Sequence, residues 1–359
     1  MRTRTKTSIV TTTIYLPEFL LEYAENAKSH EHDVVFIVIG DRKTPDTAAD
    51  FCREIEHCVY MDLVDQEKYL KRFPELKEHL LVDSISRRNI GHLMAYENGS
   101  DVIIMLDDDN FATTDDCIGK HSIVGTTVDL PVFSSNSRWF NVCNALHEIH
   151  GVEFYARGYP PAQRWNDGNT SQDQYPCRVA VNGGLWINDP DIDALTRLER
   201  PLKTSGMKNG WPKAFALALG TWSPWNCQNT AISAEALPSY FLSPYAGRHL
   251  DIWASYVTTR CAEAMGQVIA FGEPLARHDR SPHNLYKDMD QEMPWIRMTD
   301  EFCRALRESD IKGSSYLECL SSVIEALSKN WRTDDPVKVQ YLKGLKVWFS
   351  TFSRLIVQP

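Results

Sequence analysis

Residues Val102 to Asn110, with the sequence Val-Ile-Ile-Met-Leu-Asp-Asp-Asp-Asn, join an apolar run directly to three carboxylates. Five consecutive large apolar residues are typical of a strand that is covered on both faces, as in a parallel sheet. Three adjacent carboxylates repel one another and burial increases that cost, so such a strand end usually needs a cation. Oxygen ligands favour Mg²⁺ or Mn²⁺, which would in turn hold a diphosphate. For the tripeptide alone, a solvated acidic turn is the alternative.

The sequence before this strand alternates strand-like apolar runs with helical segments. This alternation predicts successive βαβ units, and therefore an α/β fold with a Rossmann-like, mostly parallel sheet flanked by helices. In such sheets the loops beyond the carboxyl ends of the strands form one crevice, which places the three carboxylates at its mouth. The predicted strands are 8–14, 33–39, 58–63 and 102–106, and the predicted helices are 17–29, 66–81 and 86–98, the last one capped by Gly99.

The remainder of the chain has weaker patterns. Residues 112–180 are expected to be rich in loops, with a polar segment from Trp165 to Tyr175 that is typical of a mobile flap. Residues 181–290 mix short strands with turns. Residues 300–359 are predicted to be helical, since Leu317, Leu320, Ile324 and Leu327 recur at spacings of three and four. We therefore predict a sheet domain over 1–299 and a helical region over 300–359, which would cap the site or form the interface of a homo-oligomer.

The composition is that of an ordinary globular protein with no strong attraction for polyanions. The chain has 359 residues, 43% of them hydrophobic, and a net charge of −10. This negative charge opposes sequence-independent attraction to phosphate backbones, so direct nucleic-acid binding is not expected. No apolar run approaches the roughly 20 residues of a membrane span. The nine cysteines include no Cys-x-x-Cys pair, so we expect no membrane span and reduced thiols in the cytoplasm.

Two further clusters contain residues suited to binding a nucleotide. Ser86 would cap a helix and form an anion site together with Arg87 or Arg88, although a capped helix with surface arginines also explains the pattern. After the second strand, Asp41 would bind a ribose or a base edge and Lys43 a phosphate, although this segment alone is no more than a turn. The sequence has no Gly-x-Gly-x-x-Gly after the first strand and no P-loop motif, which argues against a dinucleotide oxidoreductase or a P-loop kinase.

The order of these segments along the chain resembles one known family. Gly40 to Pro45, Ser84 to Gly91 and the strand ending in three aspartates are similar to the nucleotide-sugar half of the reversibly glycosylated polypeptides. That family includes UDP-arabinopyranose mutases, has STELLO-type relatives and adopts the GT-A glycosyltransferase fold. The similarity extends roughly over residues 8–305 and includes four later segments, which are 154–160 with Arg164, 182–194, 247–253 and 278–284.

Three departures from the family pattern bear on the mutase activity more than on the fold. Leu250 stands where the family has the first acid of a pair, which leaves Asp251 as the aligned carboxylate. Residues 165–179 are longer than the corresponding mutase loop. Trp165-Asn166-Asp167 replaces the mutase sequence that follows the aligned arginine.

The resemblance implies a nucleoside-diphosphate sugar as donor, with UDP as the expected nucleotide, and Mn²⁺ or Mg²⁺ as cofactor. The acceptor would be a small molecule or a glycan. The implied metal ligands are Asp107, Asp109 and His278. The implied donor-binding residues are Thr11, Thr12, Thr13, Asp41, Lys43, Arg87, Asn89, Asp107, Asp108, Gly184 and Trp186.

Two residues have candidate catalytic roles by the same resemblance. Asp251 would be the general base toward an acceptor hydroxyl, although an acidic residue at the start of a helix is the simpler alternative. Arg164 aligns with the arginine that accepts the sugar in self-glycosylating members. It would be a covalent acceptor, a phosphate clamp or a solvated loop residue, and we favour the clamp because a protonated guanidinium is a poor nucleophile.

Three functions are consistent with these residues. The first is a metal-dependent GT-A-like glycosyltransferase that uses a UDP-sugar. The second is a UDP-sugar pyranose/furanose mutase, an intramolecular transferase that needs no separate acceptor. The third is a non-catalytic nucleotide-sugar-binding partner of glycan synthases. We favour the glycosyltransferase, since a protein that only binds would need no candidate base.

Overall fold

The computed structural model describes residues 5–113, 116–166, 168–331 and 335–357, so Asp167 lies outside the described residues. The strands in these ranges are β1 Lys6–Thr13, β2 Asp33–Gly40, β3 Cys58–Met61, β4 Val102–Leu106, β5 Asn110–Ala112, β6 Thr127–Ser135, β7 Leu146–Glu148, β8 Thr170–Asn188, β9 Thr204–Met207, β10 Ala214–Leu217, β11 Asn229–Ser233 and β12 Val268–His278. The α-helices are α1 Leu20–Ser29, α2 Ala48–Arg53, α3 Leu63–Leu70, α4 Pro74–Lys77, α5 Arg88–Glu97, α6 Cys117–Lys120, α7 Ala194–Glu199, α8 Leu250–Ala264, α9 Leu285–Arg307, α10 Tyr316–Asn330 and α11 Pro336–Val357.

The first four strands form a parallel group in the order β3-β2-β1-β4. Each predicted strand is present, and β4 has the predicted bounds because its buried apolar run ends sharply at the carboxylates. The predicted helix 66–81 is instead two helices, α3 and α4. Pro74 has no N–H to continue the first helix, and it occupies the first turn of the second. Gly99 follows α5 with a φ of 69°, as predicted for a glycine at a helix end.

Beyond β4 the sheet is mixed rather than mostly parallel. β11 pairs antiparallel with both β4 and β8, and β8 pairs antiparallel with β6 but parallel with β12. Hydrophobic periodicity reports which residues are covered and not the direction of the neighbouring strand, so the sequence did not distinguish these pairings. The predicted α/β class is confirmed, with parallel units first and a helical region at the C-terminal end.

The polar segment from Trp165 to Tyr175, predicted as a mobile flap, largely forms the start of a strand. Residues Thr170–Arg178 of β8 pair with β6 along its whole length, from Ser135 back to Thr127. We call Thr127–Ser135 together with Thr170–Arg178 the exposed ribbon. The first seven residues of β8 are exposed, so this part of the strand has no apolar face from which sequence analysis could detect it.

The C-terminal helices share one core with the sheet. The predicted boundary between residues 299 and 300 falls inside α9. Trp253 of α8 stacks on Phe302 of α9 with ring centroids 4.2 Å apart, and its ring also contacts those of Trp331 and Tyr341. The structure therefore has no boundary between a sheet domain and a helical region at residue 299. No helix in the described ranges is long and apolar enough to cross a membrane.

His121 is buried between two asparagines of the sheet. The Asn182 Nδ2 group donates to its Nδ1 over 3.1 Å, and its Nε2 group donates to Asn229 Oδ1 over 3.2 Å. These two bonds suit the neutral imidazole, which has one donor and one acceptor nitrogen. Burial lowers the pKa of His121 to about 4, partly opposed by the Asn229 hydrogen bond.

This pKa shift predicts a loss of stability in mild acid. Because the folded pKa lies below the roughly 6.5 of an unfolded histidine, the unfolded state binds the proton first as the pH falls. The free energy of unfolding should therefore decrease from about pH 6.5 toward pH 4. Urea denaturation of the wild type and of His121→Gln, at several pH values over this range, measures the contribution. The variant should show the shallower decrease, and parallel curves would contradict the prediction.

Candidate active site

A cavity of about 530 Å³ opens at the carboxyl ends of β1, β2 and β4. Its volume is within the usual range for sites that bind small molecules. The predicted residues that line it are Thr12, Thr13, Asp41, Lys43, Asp107, Asp108, Asp109, Asp251 and His278. Strand ends, the start of α8 and the end of β12 thus bring together side chains that lie far apart in the sequence.

Asp107 and Asp108 are fixed by partners at the strand ends. Arg88 donates from Nη2 to Asp107 Oδ1 over 2.6 Å and to Thr12 Oγ1 over 3.0 Å. Burial raises the pKa of Asp107 to about 6, although the Arg88 guanidinium opposes the shift. Asp108 Oδ2 accepts from Thr13 Oγ1 over 2.7 Å and from the Ile14 N–H over 3.3 Å. Burial raises the pKa of Asp108 also, against the effect of the Thr13 hydrogen bond.

Asp109 faces His278 across the cavity floor. His278 Nδ1 donates to the Asp189 carbonyl over 2.6 Å, which directs Nε2 toward Asp109 Oδ2 at 3.3 Å. Burial acts to lower the pKa of His278, but the hydrogen bond and charge of Asp109 raise it overall. Burial likewise acts to raise the pKa of Asp109, but the hydrogen bond and charge of His278, together with backbone hydrogen bonds, lower it overall. The two side chains therefore stabilise each other's charged forms.

The predicted set of metal ligands is only partly assembled. Asp109 and His278 are paired, whereas Asp107 is held by Arg88. Over the part of the chain that the structure describes, no three His, Cys, Asp or Glu side chains converge as a group that could hold a metal ion. The pair still offers one carboxylate and one imidazole, and its imidazole is oriented by a carbonyl, as is usual for histidines that bind metals.

Asp251 is held by Arg157. Arg157 donates from Nη1 to Asp251 Oδ1 over 3.0 Å and from Nη2 to Oδ2 over 2.7 Å. Its Nε donates to Asp191 Oδ1 over 2.9 Å, and Asn226 donates to the other oxygen of Asp191 over 2.7 Å. The coulombic and hydrogen-bonding effects of Arg157 outweigh burial and keep the pKa of Asp191 low. One guanidinium therefore connects the loop before α7 to the start of α8.

Three of the predicted donor-binding residues near the first strands do not line the cavity. Arg87 is buried, donating to Gln66 Oε1 over 2.5 Å and to the Leu80 carbonyl over 3.4 Å. Its neighbour Arg88 lines the cavity instead. Asn89 is fully buried and bonds to the backbone of Leu242 in both directions. Thr11 is also fully buried, within β1.

Two predicted donor-binding residues of β8 belong to the sheet core. A Cβ atom on Gly184 would lie 2.5 Å from the Asn229 carbonyl oxygen, so the glycine is needed for close strand packing. Trp186 is buried in the hydrophobic core with its indole N–H unpaired. Neither lines the cavity.

Arg164 also lies away from the cavity. Its guanidinium forms an ion pair with Asp193, the N-cap of α7, and lies 5.8 Å from the centre of the Tyr155 ring. The Arg164 guanidinium was expected to clamp a phosphate, but it is largely buried and already paired with Asp193. This ion pair joins the chain at Arg164 to the start of α7. The position of Arg164 therefore supports neither the phosphate clamp nor the covalent acceptor.

The cavity also contains charged residues that sequence reasoning did not assign. Most of them belong to the segments that carry the family resemblance, and the others contact those segments. The resemblance could therefore have identified most of them. They are Arg157, Asp191, Arg248, Arg280, His283 and Glu292.

Comparisons with known proteins place these features beside sugar-nucleotide enzymes. No family model matches the sequence. UDP-arabinopyranose mutase 3 of Arabidopsis thaliana is 25% identical over 267 residues, covering 70% of this chain and 68% of that protein. Probable UDP-arabinopyranose mutase 2 of Solanum tuberosum is 22% identical over 261 residues, covering 70% and 67%.

Solved structures show weaker likenesses. Glucosyl-3-phosphoglycerate synthase from Mycobacterium tuberculosis in complex with UDP has a TM-score of 0.45 and 11% identity, covering 84% of this chain and 80% of that chain. Staphylococcus aureus TarS has a TM-score of 0.35 and 10% identity, covering 97% and 55%. TM-scores this low support no statement about function. The sequence comparison does confirm the resemblance first seen in the motifs: over 70% of its length, this chain is similar to UDP-arabinopyranose mutases.

Proposed function

We propose that this chain is an enzyme that binds a nucleoside-diphosphate sugar, with UDP as the nucleotide, and transfers the glycosyl group to an acceptor hydroxyl. The observation that carries the proposal is the cavity itself. The three carboxylates that follow β4 line it together with the paired Asp251 and Arg157. Such a lining offers carboxylates for a metal-bound diphosphate and a separately held carboxylate for an acceptor hydroxyl.

The donor would lie along the ends of the first strands. Lys43 supplies a positive charge for a phosphate, and the Asp41 carboxylate lies beside it for a ribose. Asp41 already accepts from the backbone N–H groups of Asp83 and Ser84, over 3.0 and 3.3 Å, which fix its orientation. Tyr15 is half exposed at the rim of the same cavity, where its ring could cover a base.

Asp109 and His278 would hold the divalent metal. One carboxylate and one oriented imidazole fit Mn²⁺ or Mg²⁺ as part of a coordination shell completed by the diphosphate and water. When bound, the metal would neutralise negative charge that develops on the departing diphosphate. His278 keeps its Nδ1 proton on the Asp189 carbonyl, which leaves Nε2 as the ligand atom.

Asp251 is proposed as the base that removes the acceptor proton. Arg157 engages both of its carboxylate oxygens and thereby fixes the direction in which the carboxylate faces. Oδ1 also accepts from the Ile252 N–H over 2.9 Å, so an acceptor hydroxyl in the cavity would donate to the second lone pair of Oδ2. Arg157 is thus a positioning residue, which holds the base relative to Asp191 and the loop before α7.

A UDP-sugar mutase is the second candidate, favoured by the similarity to UDP-arabinopyranose mutases. The two functions are separated by incubating the protein with Mn²⁺ and UDP-sugars and following the anomeric signals by NMR. Conversion of a pyranose to a furanose without acceptor would establish the mutase. Slow hydrolysis, accelerated by an acceptor, would support the transferase. Binding of the donor with no turnover would instead support the non-catalytic partner.

The position of Arg164 predicts that the protein does not glycosylate itself there. Because its guanidinium is paired with Asp193 outside the cavity, the intact mass should be unchanged after incubation with UDP-sugars and Mn²⁺. Mass spectrometry of the intact chain and of its peptides measures this directly. A pentose or hexose adduct on Arg164, absent from Arg164→Lys, would contradict the prediction and favour the covalent mechanism.

A further inference from the structure

A second cavity, of about 330 Å³, is lined by α9 and by residues 137–139 and 162–163, which lie in the chain between the two strands of the exposed ribbon. Its lining includes three arginines, Arg138, Arg304 and Arg307, and two acidic residues, Asp300 and Glu308. None of these residues lines the first cavity. The two cavities therefore have no charged residue in common.

Arg307 stands out in this cavity because it is partly buried and forms no ion pair with a carboxylate of the described residues. Its guanidinium carbon lies 4.5 Å from the ring centre of Trp139 and 4.3 Å from that of Trp222. Its Nη2 donates to the Arg138 carbonyl over 2.5 Å, while its Nε is buried and unpaired. Burial, reinforced by the charge of Arg138, lowers the pKa of Arg307 to about 10. A partly buried cation of this kind is stabilised by a nearby anion.

The other two arginines are available to the same ligand. Arg138 and Arg304 are exposed at the cavity, and neither forms an ion pair within the described ranges. Asp300 accepts from the Ala162 N–H over 3.4 Å, which occupies one of its oxygens. The lining has three guanidinium groups and two carboxylates, so its net charge is positive. The guanidinium groups also have more N–H donors than the two oxygens of a single carboxylate ligand could accept.

We propose that this second cavity binds the phosphate group of a small phosphorylated molecule, with the partly buried Arg307 as the anchor and the exposed Arg138 and Arg304 at the mouth. A phosphate has three acceptor oxygens and close to two negative charges, which match the three guanidinium groups. The flanking tryptophans hold the Arg307 plane in place, so little side-chain freedom is lost on binding. This proposal does not depend on the proposed function.

The site also touches the segment that leads to the first cavity. Ala162 and Gln163 line the second cavity, and they follow Arg157 by only a few residues along the chain. A phosphate bound there would lie between this segment and α9. An anion bound in the second cavity would therefore stabilise the segment that carries the positioning residue Arg157.

Titration calorimetry with inorganic phosphate tests the proposal on the full chain. Arg304→Met should weaken phosphate binding about tenfold or more, as expected for the loss of a charge-assisted hydrogen bond. Arg304 is exposed, so this variant should fold; Arg307→Met should weaken binding further. Arg53→Met, which removes an exposed arginine of α2 that lines neither cavity, is the matched control and should leave the affinity unchanged.

Two results would overturn the proposal. The first is the absence of phosphate binding by the wild type at millimolar concentrations. The second is binding that Lys43→Met weakens while Arg304→Met does not, since the phosphate would then occupy the first cavity. Hydrogen exchange gives an independent readout, in which phosphate should slow exchange at Ala162 and Gln163 in the wild type but not in Arg304→Met.

Discussion

Replacing Asp109 by asparagine should reduce the Mn²⁺-dependent affinity for UDP by about a hundredfold or more, since even groups that only orient metal ligands commonly contribute ten- to a hundredfold. The substitution keeps the shape of the side chain and removes the charge that faces His278 at 3.3 Å. Binding should be measured by titration calorimetry, once with Mn²⁺ and once with a chelator. The effect should be confined to the titration that contains the metal.

The matched control for this substitution is Asp129→Asn. Asp129 lies in the exposed ribbon, away from both cavities, so the same chemical change there should leave UDP binding unaltered. An equal loss of affinity with and without Mn²⁺ in Asp109→Asn would indicate a local rearrangement rather than loss of a metal ligand. Unchanged affinity in both titrations would remove Asp109 from the metal site.

Asp251→Asn should lower kcat by about 10²–10⁴-fold, the usual contribution of a positioned general base. The amide is nearly isosteric with the carboxylate and can still accept from Arg157, so the donor should bind with nearly normal affinity. Steady-state kinetics with the donor and acceptor found in the NMR experiment measure both quantities.

Arg157→Lys separates this role from a purely structural one. Lysine keeps the positive charge but loses the bidentate contact to Asp251, so it should lower kcat by less than Asp251→Asn does, with the donor still bound. Asp310→Asn, on an exposed carboxylate, serves as the control with normal turnover. If Asp251→Asn turns over near the wild-type rate, the base lies elsewhere, and Asp251 serves only as a partner of Arg157.

The parts of the fold that follow from the sequence are those with a local cause. β4 was predictable because a run of buried apolar residues ends abruptly at charged ones, and Gly99 because a left-handed residue is common after a helix. The exposed strand residues 170–176 were not predictable, since no buried face imposes an apolar period on them. Strand direction beyond β4 depends on contacts between distant segments, which periodicity does not encode.

The candidate site shows the same division. The three carboxylates after β4 were found because strand ends carry ligands in such sheets. The choice between Arg87 and Arg88 was beyond the sequence, because successive residues of a helix point about 100° apart and only the neighbouring elements decide which one faces the cavity. Arg157 acts through Asp191 and Asp251, 34 and 94 positions away, so its role depends on tertiary structure.

The exposed ribbon has a consequence for aggregation. In the described ranges, the edge of β8 that faces away from β6 has no strand paired with it between Thr170 and Arg178. An open edge of this length is a template on which a second chain can add a strand. Pro176 lacks the N–H that such pairing needs, and Asp173 places a charge along the same edge. The polar composition that conceals this strand in the sequence is therefore also what keeps the folded molecules from joining edge to edge.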